Sequence, residues 1–420
     1  MSKRFCLSIL GMLLVLPGAA ASARPDNSQG YVVVFEEGVG NPQGVATHHA
    51  RAFGAKVDLV YDSAVKGYAA ELSAGQLSSV RSDPRVAVVS PDRKVTASDI
   101  ASGETLPTGL NRIDAELGSA FRTGGTNTTP STPVAILDTG SGPHPDLNVV
   151  GGIDCTGAGS YSDANGHGTH VAGTVAAGNS GSGVVGMAPG APIYSVRVLN
   201  AQGAGYWSWI ICGIDWVTDT TNHEFIPVAN MSLSGSGSDG ACSTSALHLA
   251  ICNSTAAGTT YVAAAGNSGT NFSRSVPAAY NEVLTVTAVA DFNGAPGGKA
   301  APTCRSDVDD TAADFSNYTT VGSSDVSHTI AAPGVCIQSS WLNGGYTSIS
   351  GTSMASPHVA GALALCVANG ACAGAATPSQ VISKLRNDAA AQPASYGFKD
   401  DPRSPRAKRY YGYLAHAGGY

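Results

Sequence analysis

Short apolar runs alternate with helix-like stretches over most of the chain after residue 130. The apolar runs are Val134–Leu137, Ile193–Leu199, Val228–Leu233, Thr260–Ala264, Val283–Val289 and Thr329–Ala332. Continuous apolar character over so few residues is typical of strands that are buried on both faces of a parallel sheet. Helix candidates rich in small residues lie between some of them, at His170–Ala177 and Ala246–Ala256. The pattern predicts an α/β domain with a mostly parallel central sheet flanked by helices.

A different pattern covers Tyr31–Val95, where β-branched runs and helix-permissive stretches are mixed. The predicted strands are Tyr31–Phe35, Tyr68–Leu72 and Val86–Val89, and the predicted helices are Val45–Phe53 and Ala74–Arg81. The polar segment Thr96–Pro107 follows and predicts a linker. The sequence therefore predicts a small α+β domain ahead of the large one.

The amino-terminal residues have the pattern of a secretory signal peptide. Lys3 and Arg4 precede an uncharged apolar run, Phe5–Leu16, and small residues end at Ala21-Ser22-Ala23. The run is shorter than the roughly 20 apolar residues that cross a bilayer. We expect residues 1–23 to be removed, the protein to be secreted to the extracellular space, and no membrane attachment to remain.

Composition excludes several classes of protein. Hydrophobic residues make up 43% of the chain and charged residues only 13%, which disfavours a disordered protein. The net charge is −7, so the sequence gives no reason to expect nucleic-acid binding through phosphate contacts.

Eight cysteines follow the signal segment, and an even number in an oxidising compartment predicts up to four disulfides. Eight cysteines allow more than a hundred pairings. Proximity in sequence favours Cys242–Cys252 and Cys366–Cys372, then Cys304–Cys336, which leaves Cys155–Cys212. Zinc binding is disfavoured because the chain has no C-x-x-C pair.

Three short motifs carry residues of the kind used in nucleophilic catalysis. Asp138-Thr139-Gly140 closes a predicted strand, His167-Gly168-Thr169-His170 opens a predicted helix, and Ser353 starts a helix of small residues after Gly351. A serine hydroxyl is a weak nucleophile unless a base accepts its proton and an acid orients that base. Histidine suits the base because its ordinary pKa is near neutrality.

These motifs, and their order Asp–His–Ser, resemble those of the subtilase family, the serine proteases of the subtilisin and proteinase K group. The resemblance implies Asp138 as the orienting carboxylate, His167 as general base and acid, and Ser353 as nucleophile. It also implies an oxyanion donor in the side-chain amide of Asn267. A protein of this kind hydrolyses peptide bonds through an acyl-enzyme and needs no cofactor for catalysis.

The resemblance further implies that a peptide substrate binds by strand addition. One edge would be Ser232, Leu233 and Ser234, and the other would include Gly205 and Trp207. Trp207 and Leu233 would form an apolar pocket, with packing in the core as the alternative. Ser234 stands where family members often have glycine, so the width of the primary pocket is open.

The segment expected to form the floor of the primary pocket, Asn271–Ala278, contains no acidic residue. We therefore expect broad or apolar primary specificity rather than a strict preference for Lys or Arg.

The Tyr31–Val95 unit resembles the inhibitory propeptide of the family. The resemblance implies that residues 24–100 template folding, block the cleft as an intramolecular inhibitor, and are cut off near Ala101, which leaves residues 101–420 as the peptidase domain. The alternative is an α+β binding domain that stays attached. We expect a monomer that acts on protein or peptide substrates.

Other residues carry weaker expectations. Asp146 matches an aspartate that binds a structural calcium in the family, and a simple surface aspartate is the alternative. His170 and His358 are expected to be structural. The segment after Lys384 predicts a terminal strand that packs on the catalytic domain.

The sequence leaves two alternatives for the whole chain: a catalytically silent binding protein on the same fold, and a secreted serine esterase of another fold. A binding protein has no need for all four of Asp138, His167, Asn267 and Ser353. The order of the motifs disfavours the esterase.

Overall fold

The structure is a computed structural model that describes residues 30–92, 94–97, 100–103, 107–117, 130–178, 183–221, 223–372 and 377–420. The predicted signal segment, 1–23, lies outside these residues. Within these ranges no helix has the length and apolar character that a membrane crossing requires.

The strands and helices are numbered along the described parts of the chain. The strands are β1 Gly30–Phe35, β2 Lys56–Tyr61, β3 Gly67–Glu71, β4 Val86–Pro91, β5 Lys94–Ala97, β6 Ile100–Gly103, β7 Val134–Asp138, β8 Val149–Asp154, β9 Ile193–Arg197, β10 Ala204–Tyr206, β11 Val228–Met231, β12 Leu233–Ser236, β13 Thr260–Ala264, β14 Ser275–Val276, β15 Val283–Ala290, β16 Thr311–Ala312, β17 Thr319–Thr320, β18 Thr329–Pro333, β19 Ile337–Ser340, β20 Tyr346–Ser350 and β21 Arg409–Tyr410. The α-helices are α1 Pro42–Phe53, α2 Ala74–Arg81, α3 Gly109–Arg112, α4 His167–Ala176, α5 Trp207–Thr218, α6 Ala246–Ala256, α7 Thr352–Ala368 and α8 Pro378–Ala391.

The amino-terminal unit is a small α+β domain, as the sequence predicts. Its four strands form an antiparallel sheet in the order β2-β3-β1-β4, with α1 and α2 packed on it. Local signals start both helices, because Asn41 caps α1 ahead of Pro42 and Ser73 forms a capping box with Gln76 at α2. Strand β2 was not predicted.

The central sheet of the second domain has seven parallel strands in the order β8-β9-β7-β11-β13-β15-β18, and β16 joins β15 antiparallel. Six of the seven were predicted from their apolar runs. The exception is β8, in which two glycines interrupt the apolar run from which a strand would be predicted. The predicted run Val228–Leu233 is divided at Ser232 into β11 and β12.

Both faces of this sheet are covered by helices. Along β7, Val134 and Ile136 pack in the core that contains α4 and α7, whereas Ala135 and Leu137 pack in the core that contains α5 and α6. All five residues of β7 are buried. Two-sided burial explains why the predicted strands read as continuous apolar runs rather than as alternating ones.

The segment predicted as a linker, Thr96–Pro107, contributes the second half of β5 and all of β6, which its polar composition did not predict. Strand β5 lies between β10 and β12, and β6 pairs with β20. The second domain supplies the edges on which these strands form, so hydrophobic patterning within the segment could not reveal them.

Four disulfides confirm the pairing that sequence proximity favours. They are Cys155–Cys212, Cys242–Cys252, Cys304–Cys336 and Cys366–Cys372. His248 and Glu282 lie beside the second of these, but its two sulfur atoms are bonded to each other and are therefore not free to bind a metal.

The carboxyl-terminal segment packs on the second domain and confirms the predicted terminal strand. Strand β21 pairs antiparallel with β17. Farther along, Leu414 bridges to Ala331 in β18, so the segment also reaches the central sheet.

Two buried histidines, His170 in α4 and His358 in α7, bond to backbone carbonyls as structural residues do. His170 Nε2 bonds to the carbonyl oxygen of Ile337 at 2.9 Å, and His358 Nδ1 bonds to that of Met354 at 2.8 Å. Burial lowers the pKa of His170 to about 3 and that of His358 to about 4.

We expect acid to destabilise the fold through these two side chains. Once the pH falls below 6.5, the ordinary pKa of histidine, the unfolded chain takes up protons that the folded chain cannot bind. Each histidine should lower the free energy of unfolding by about 1.4 kcal/mol per pH unit until its folded pKa is reached. Urea unfolding between pH 8 and pH 5 measures this slope.

The variant His358→Asn should show a shallower slope than the wild type, by about one proton. His48→Asn, at an exposed histidine of the amino-terminal domain, is the control, so all three proteins are measured before that domain is removed. Equal slopes in the wild type and His358→Asn would contradict a neutral, buried His358.

Candidate active site

The three motifs meet at the carboxyl edge of the central sheet. Strand β7 ends at Asp138, α4 begins at His167, and Ser353 is the second residue of α7. Functional groups of α/β sheets gather at this edge because parallel strands end and the following helices begin there. All three side chains are fully buried in this form of the protein.

Asp138 and His167 form a close pair. Asp138 Oδ1 is 2.7 Å from His167 Nδ1, and it also accepts the backbone N–H of Thr139 at 2.7 Å. Burial raises the pKa of the Asp138 carboxyl, and the charge and hydrogen bond of His167 oppose that shift. A carboxylate on Nδ1 holds the proton at that nitrogen and leaves Nε2 as the basic atom of the ring.

This pair depends on glycine at position 168. A Cβ atom added there would lie 2.0 Å from the carbonyl oxygen of Gly140 and 3.0 Å from Cβ of Asp138. Any larger residue would therefore push α4 away from the turn that follows β7. The His-Gly sequence brings the helix start against the strand end.

Ser353 is tied to the end of β11. Its Oγ donates to the carbonyl oxygen of Ser232 at 3.3 Å, and Ser232 Oγ donates to the carbonyl oxygen of Ser353 at 2.8 Å. Ser232 Oγ in turn accepts the side-chain amide of Asn230 at 2.9 Å. These bonds fix the start of α7 beside the strand edge predicted to bind substrate.

Asn267 presents its amide nitrogen to the same region. Its Oδ1 accepts the backbone N–H and the hydroxyl of Thr352, at 2.9 and 2.8 Å. Both partners are donors, so they settle which end of the amide is oxygen. Asn267 Nδ2 is buried and makes no hydrogen bond within the described part of the chain. A donor kept in place without an acceptor is suited to a group that becomes negative only during a reaction.

The two predicted substrate edges hold a strand of the same chain. Gly205 of β10 pairs with Val95 of β5, and Leu233 and Ser234 of β12 pair with Ala97 and Thr96. An extended segment thus already fills the space between the two edges.

Trp207 and Leu233 differ in their surroundings. Trp207 lines a cavity of about 440 Å³ together with Leu247, Val276 and Tyr280. Leu233 is wholly buried and packs in the core below α5 and α6. Trp207 packs in the same core as Leu233 and is also buried, so the two residues differ in that Trp207 reaches this cavity as well.

Asp146 is half-buried and already has a protein partner. Its Oδ2 accepts the hydroxyl of Tyr346 at 2.6 Å, and its carbonyl oxygen accepts the N–H of Gly178 at 2.9 Å. The loop predicted to complete the calcium site includes residues 179–182, which lie outside the described residues. One carboxylate with a bound hydroxyl fits a calcium site poorly unless this loop supplies carbonyl oxygens.

Comparison with known proteins identifies the family. The profile of the subtilase family of peptidases matches residues 130–413, and that of peptidase inhibitor I9 matches residues 30–98. A thermostable alkaline protease of Halalkalibacterium halodurans is 35% identical over 366 residues, which cover 86% of this chain and 87% of that protein. The chain belongs to the subtilase family.

Other subtilases are similar to large parts of the chain. An extracellular serine proteinase of Thermus sp. is 37% identical over 361 residues, or 84% of this chain and 78% of that protein. Subtilisin Savinase of Lederbergia lenta is 41% identical over 263 residues, or 62% of this chain and 84% of that protein. The protein is thus a subtilisin-like serine endopeptidase with an amino-terminal inhibitor domain, as the motifs predicted.

The structure adds residues that the sequence analysis did not single out. Asp163 lies four residues before His167. It accepts hydrogen bonds from Thr139, just after β7, and from Gly166, just before α4. Its position just ahead of a helix start is a signal that could have revealed it. Asp215 contacts the amino-terminal domain from the second half of α5. It is the only charged residue of this apolar helix, and that isolation is a signal that could have revealed it.

Proposed function

We propose that Asp138, His167 and Ser353 are the catalytic triad of this endopeptidase. The proposal rests on the 2.7 Å bond between His167 and Asp138, which lies at the same sheet edge as Ser353 in the first turn of α7. Ser353 Oγ attacks the substrate carbonyl while its proton passes to His167 Nε2, and Asp138 stabilises the imidazolium that forms. His167 then gives the proton to the leaving amine, and water releases the acyl group.

Asn267 is the side-chain donor of the oxyanion hole in this proposal. Thr352 holds its amide so that Nδ2 stays free within the described residues. The helix start at Ser353 adds backbone N–H groups, which favour negative charge at the same point. Both contributions are stronger in the transition state than with bound substrate, so they raise kcat.

The amino-terminal domain is an intramolecular inhibitor in a secreted zymogen. Strand β5 lies between the two edges that would bind a substrate, so substrate cannot enter while this domain is bound. We propose that residues 24–100 are released by a cut near Ala101, after the signal peptide of residues 1–23 has been removed. The mature enzyme, residues 101–420, would act as a monomer.

Primary specificity is broad or apolar in this proposal. A cavity of about 670 Å³ beside β12 and β14 is lined by Ser236, Gly237, Ser238, Ser273 and Arg274, and no carboxylate is among these lining residues. Arg274 would repel a basic side chain there. A structural calcium at Asp146 remains a prediction that awaits metal analysis.

Replacement of the nucleophile tests the catalytic assignment. Ser353→Ala should accumulate as an unprocessed precursor with no hydrolysis of casein, because no acyl-enzyme can form. Gel analysis and amino-terminal sequencing of protein made in a protease-free host measure the processing.

The matched control is Ser356→Ala, one turn along α7, where the hydroxyl bonds to Asn230. It should mature with reduced thermal stability. Processing and casein hydrolysis by Ser353→Ala at the wild-type rate would refute the triad. A wild-type protein that neither matures nor cleaves casein would favour a silent binding protein.

Replacement of the oxyanion donor should separate kcat from KM. Asn267→Leu removes the amide at similar size, and we expect kcat to fall by about 100- to 1,000-fold with KM little changed, the magnitude known for this donor in subtilisin, a member of the family. Steady-state hydrolysis of a peptide amide gives both constants. Asn148→Leu is the control, because this exposed asparagine lies just before β8, at the opposite edge of the sheet, and bonds to the carbonyl oxygen of Gly190. It should leave kcat within about twofold; an equal loss in both variants would argue against a specific role for Asn267.

Asp215 should hold the inhibitor domain on the enzyme. Its carboxylate accepts three consecutive backbone N–H groups from residues 62–64, at 3.2, 2.7 and 2.5 Å. Hydrogen bonds to a charged group contribute about 1.5–3 kcal/mol, so Asp215→Ala should weaken inhibition by at least about 10-fold. The lag between processing and full activity measures the release of the domain.

The control for this change is Asp219→Ala, just after the same helix, where the carboxylate bonds to Thr221 within its own loop. It should keep the wild-type lag. An unchanged lag in Asp215→Ala would show that other contacts dominate the affinity.

A further inference from the structure

A buried carboxylate joins the end of β7 to the start of α4. Asp163 is 8% exposed and accepts five hydrogen bonds. Its Oδ1 accepts Thr139 Oγ1 at 2.9 Å and the backbone N–H groups of Asn165 and Gly166 at 2.8 and 3.0 Å. Its Oδ2 accepts the N–H and hydroxyl of Thr169 at 2.8 and 2.7 Å.

Asp163 supplies a cap that α4 lacks at its own first position. The N-cap residue is Gly166, which has no side chain to accept a hydrogen bond and has a φ of 109°. Unpaired N–H groups of a buried first turn would be costly, and a carboxylate there is also favoured by the helix dipole. Asp163 therefore fixes the turn from which the His167 side chain projects.

Thr139 completes the connection from the strand side. Its backbone N–H donates to Asp138 Oδ1, its hydroxyl donates to Asp163, and the same hydroxyl accepts the N–H of Gly168 at 3.0 Å. Thr139 is fully buried. Thr139 thus bonds through its side chain to Gly168, the residue that follows His167, and through its backbone to Asp138.

We propose that Asp163 and Thr139 are positioning residues for the peptidase reaction: together they set the distance and angle between Asp138 and His167. This inference rests on the proposed function of that pair. Neither residue is in contact with the reacting atoms in this proposal, and both act through the 2.7 Å bond. Misplacement of a catalytic group by about 1 Å can cost on the order of 100-fold in rate.

The test compares Thr139→Val with Thr139→Ser. Valine keeps the shape of threonine but removes the hydroxyl, so residue 139 loses its hydrogen bonds to Asp163 and Gly168. Asp163 still caps α4 in this variant. We expect kcat to fall by about 10-fold with KM within about twofold of the wild type. Serine keeps the hydroxyl and should restore kcat to within about twofold.

Asp163→Asn tests the other half of the connection. An amide can accept at only one of its two ends, so the donors at Thr169 would face its NH₂ group. We expect a loss in kcat of about 100-fold. In both impaired variants the downfield proton resonance of His167 Nδ1–H should shift or broaden, which a loss of stability alone would not cause.

Asp154→Asn is the matched control for the loss of a loop-capping carboxylate. Asp154 ends β8 and accepts Thr156 N–H, Thr156 Oγ1 and Gly159 N–H at 2.9, 2.7 and 2.6 Å, within its own loop. Its replacement should lower the Tm but leave kcat per active site and the resonance unchanged.

Two outcomes separate the inference from the proposed function. Full activity in Ser353→Ala would overturn the proposed function and the inference with it. An inactive Ser353→Ala alongside wild-type kcat and an unshifted resonance in Thr139→Val would overturn the inference alone. Should a variant mature too slowly for steady-state kinetics, the rate of its own processing gives the same comparison in a single turnover.

Discussion

A parallel sheet covered on both faces is the constraint on which the rest of this molecule depends. Parallel strands need crossover connections, and these return each strand to the sheet in the same direction. The carboxyl ends of the seven parallel strands therefore meet at one edge of the central sheet, and the starts of α4 and α7 lie there too. Asp138, His167 and Ser353 are close in space because β7 ends, and α4 and α7 begin, at this edge. Their wide separation in sequence is immaterial to the geometry.

Burial of the polar site has a cost that the surrounding hydrogen bonds offset. The three side chains are fully buried, and a buried polar group without a partner costs free energy of about 1–3 kcal/mol. Thr139, Asp163 and Thr352 supply partners to the groups around the site, and none of the three is in contact with the reacting atoms of the proposed mechanism. This arrangement leaves little freedom for the site to relax, so small changes in the supporting residues should affect rate more than binding.

The sequence predicted what depends on local pattern. Apolar runs predicted six of the seven parallel strands, and proximity predicted the disulfides, because both signals lie in neighbouring residues. Motifs predicted which residues would meet at the site, and the structure brings Asp138 and His167 into contact. Contacts made across the fold were missed: the polar segment around β5 did not predict a strand, and Asp215, although it is the only charged residue of α5, does not reveal its partner in the sequence. Such features depend on where another part of the chain lies, which no local pattern encodes.

The amino-terminal domain is anchored outside the cleft that it fills. Asp92 accepts the N–H and the hydroxyl of Ser208 at the start of α5, and Ser90 accepts the N–H of Ala246 at the start of α6. Neither helix has a side-chain cap from its own N-cap residue. The domain thus supplies caps that the catalytic domain lacks, in addition to the strand β5.

Contacts outside the cleft explain how the amino-terminal domain could still inhibit the enzyme after the proposed cleavage. If the domain were held only by β5, a cut near Ala101 would let the product dissociate as any peptide product does. The bonds at the two helix starts and at Asp215 do not pass through the cut, so the domain would stay bound after cleavage and inhibition would outlast processing. Under the proposed cleavage, release would then require the loss of these contacts, through digestion of the domain or its dissociation, and processing and activation would be two distinct steps.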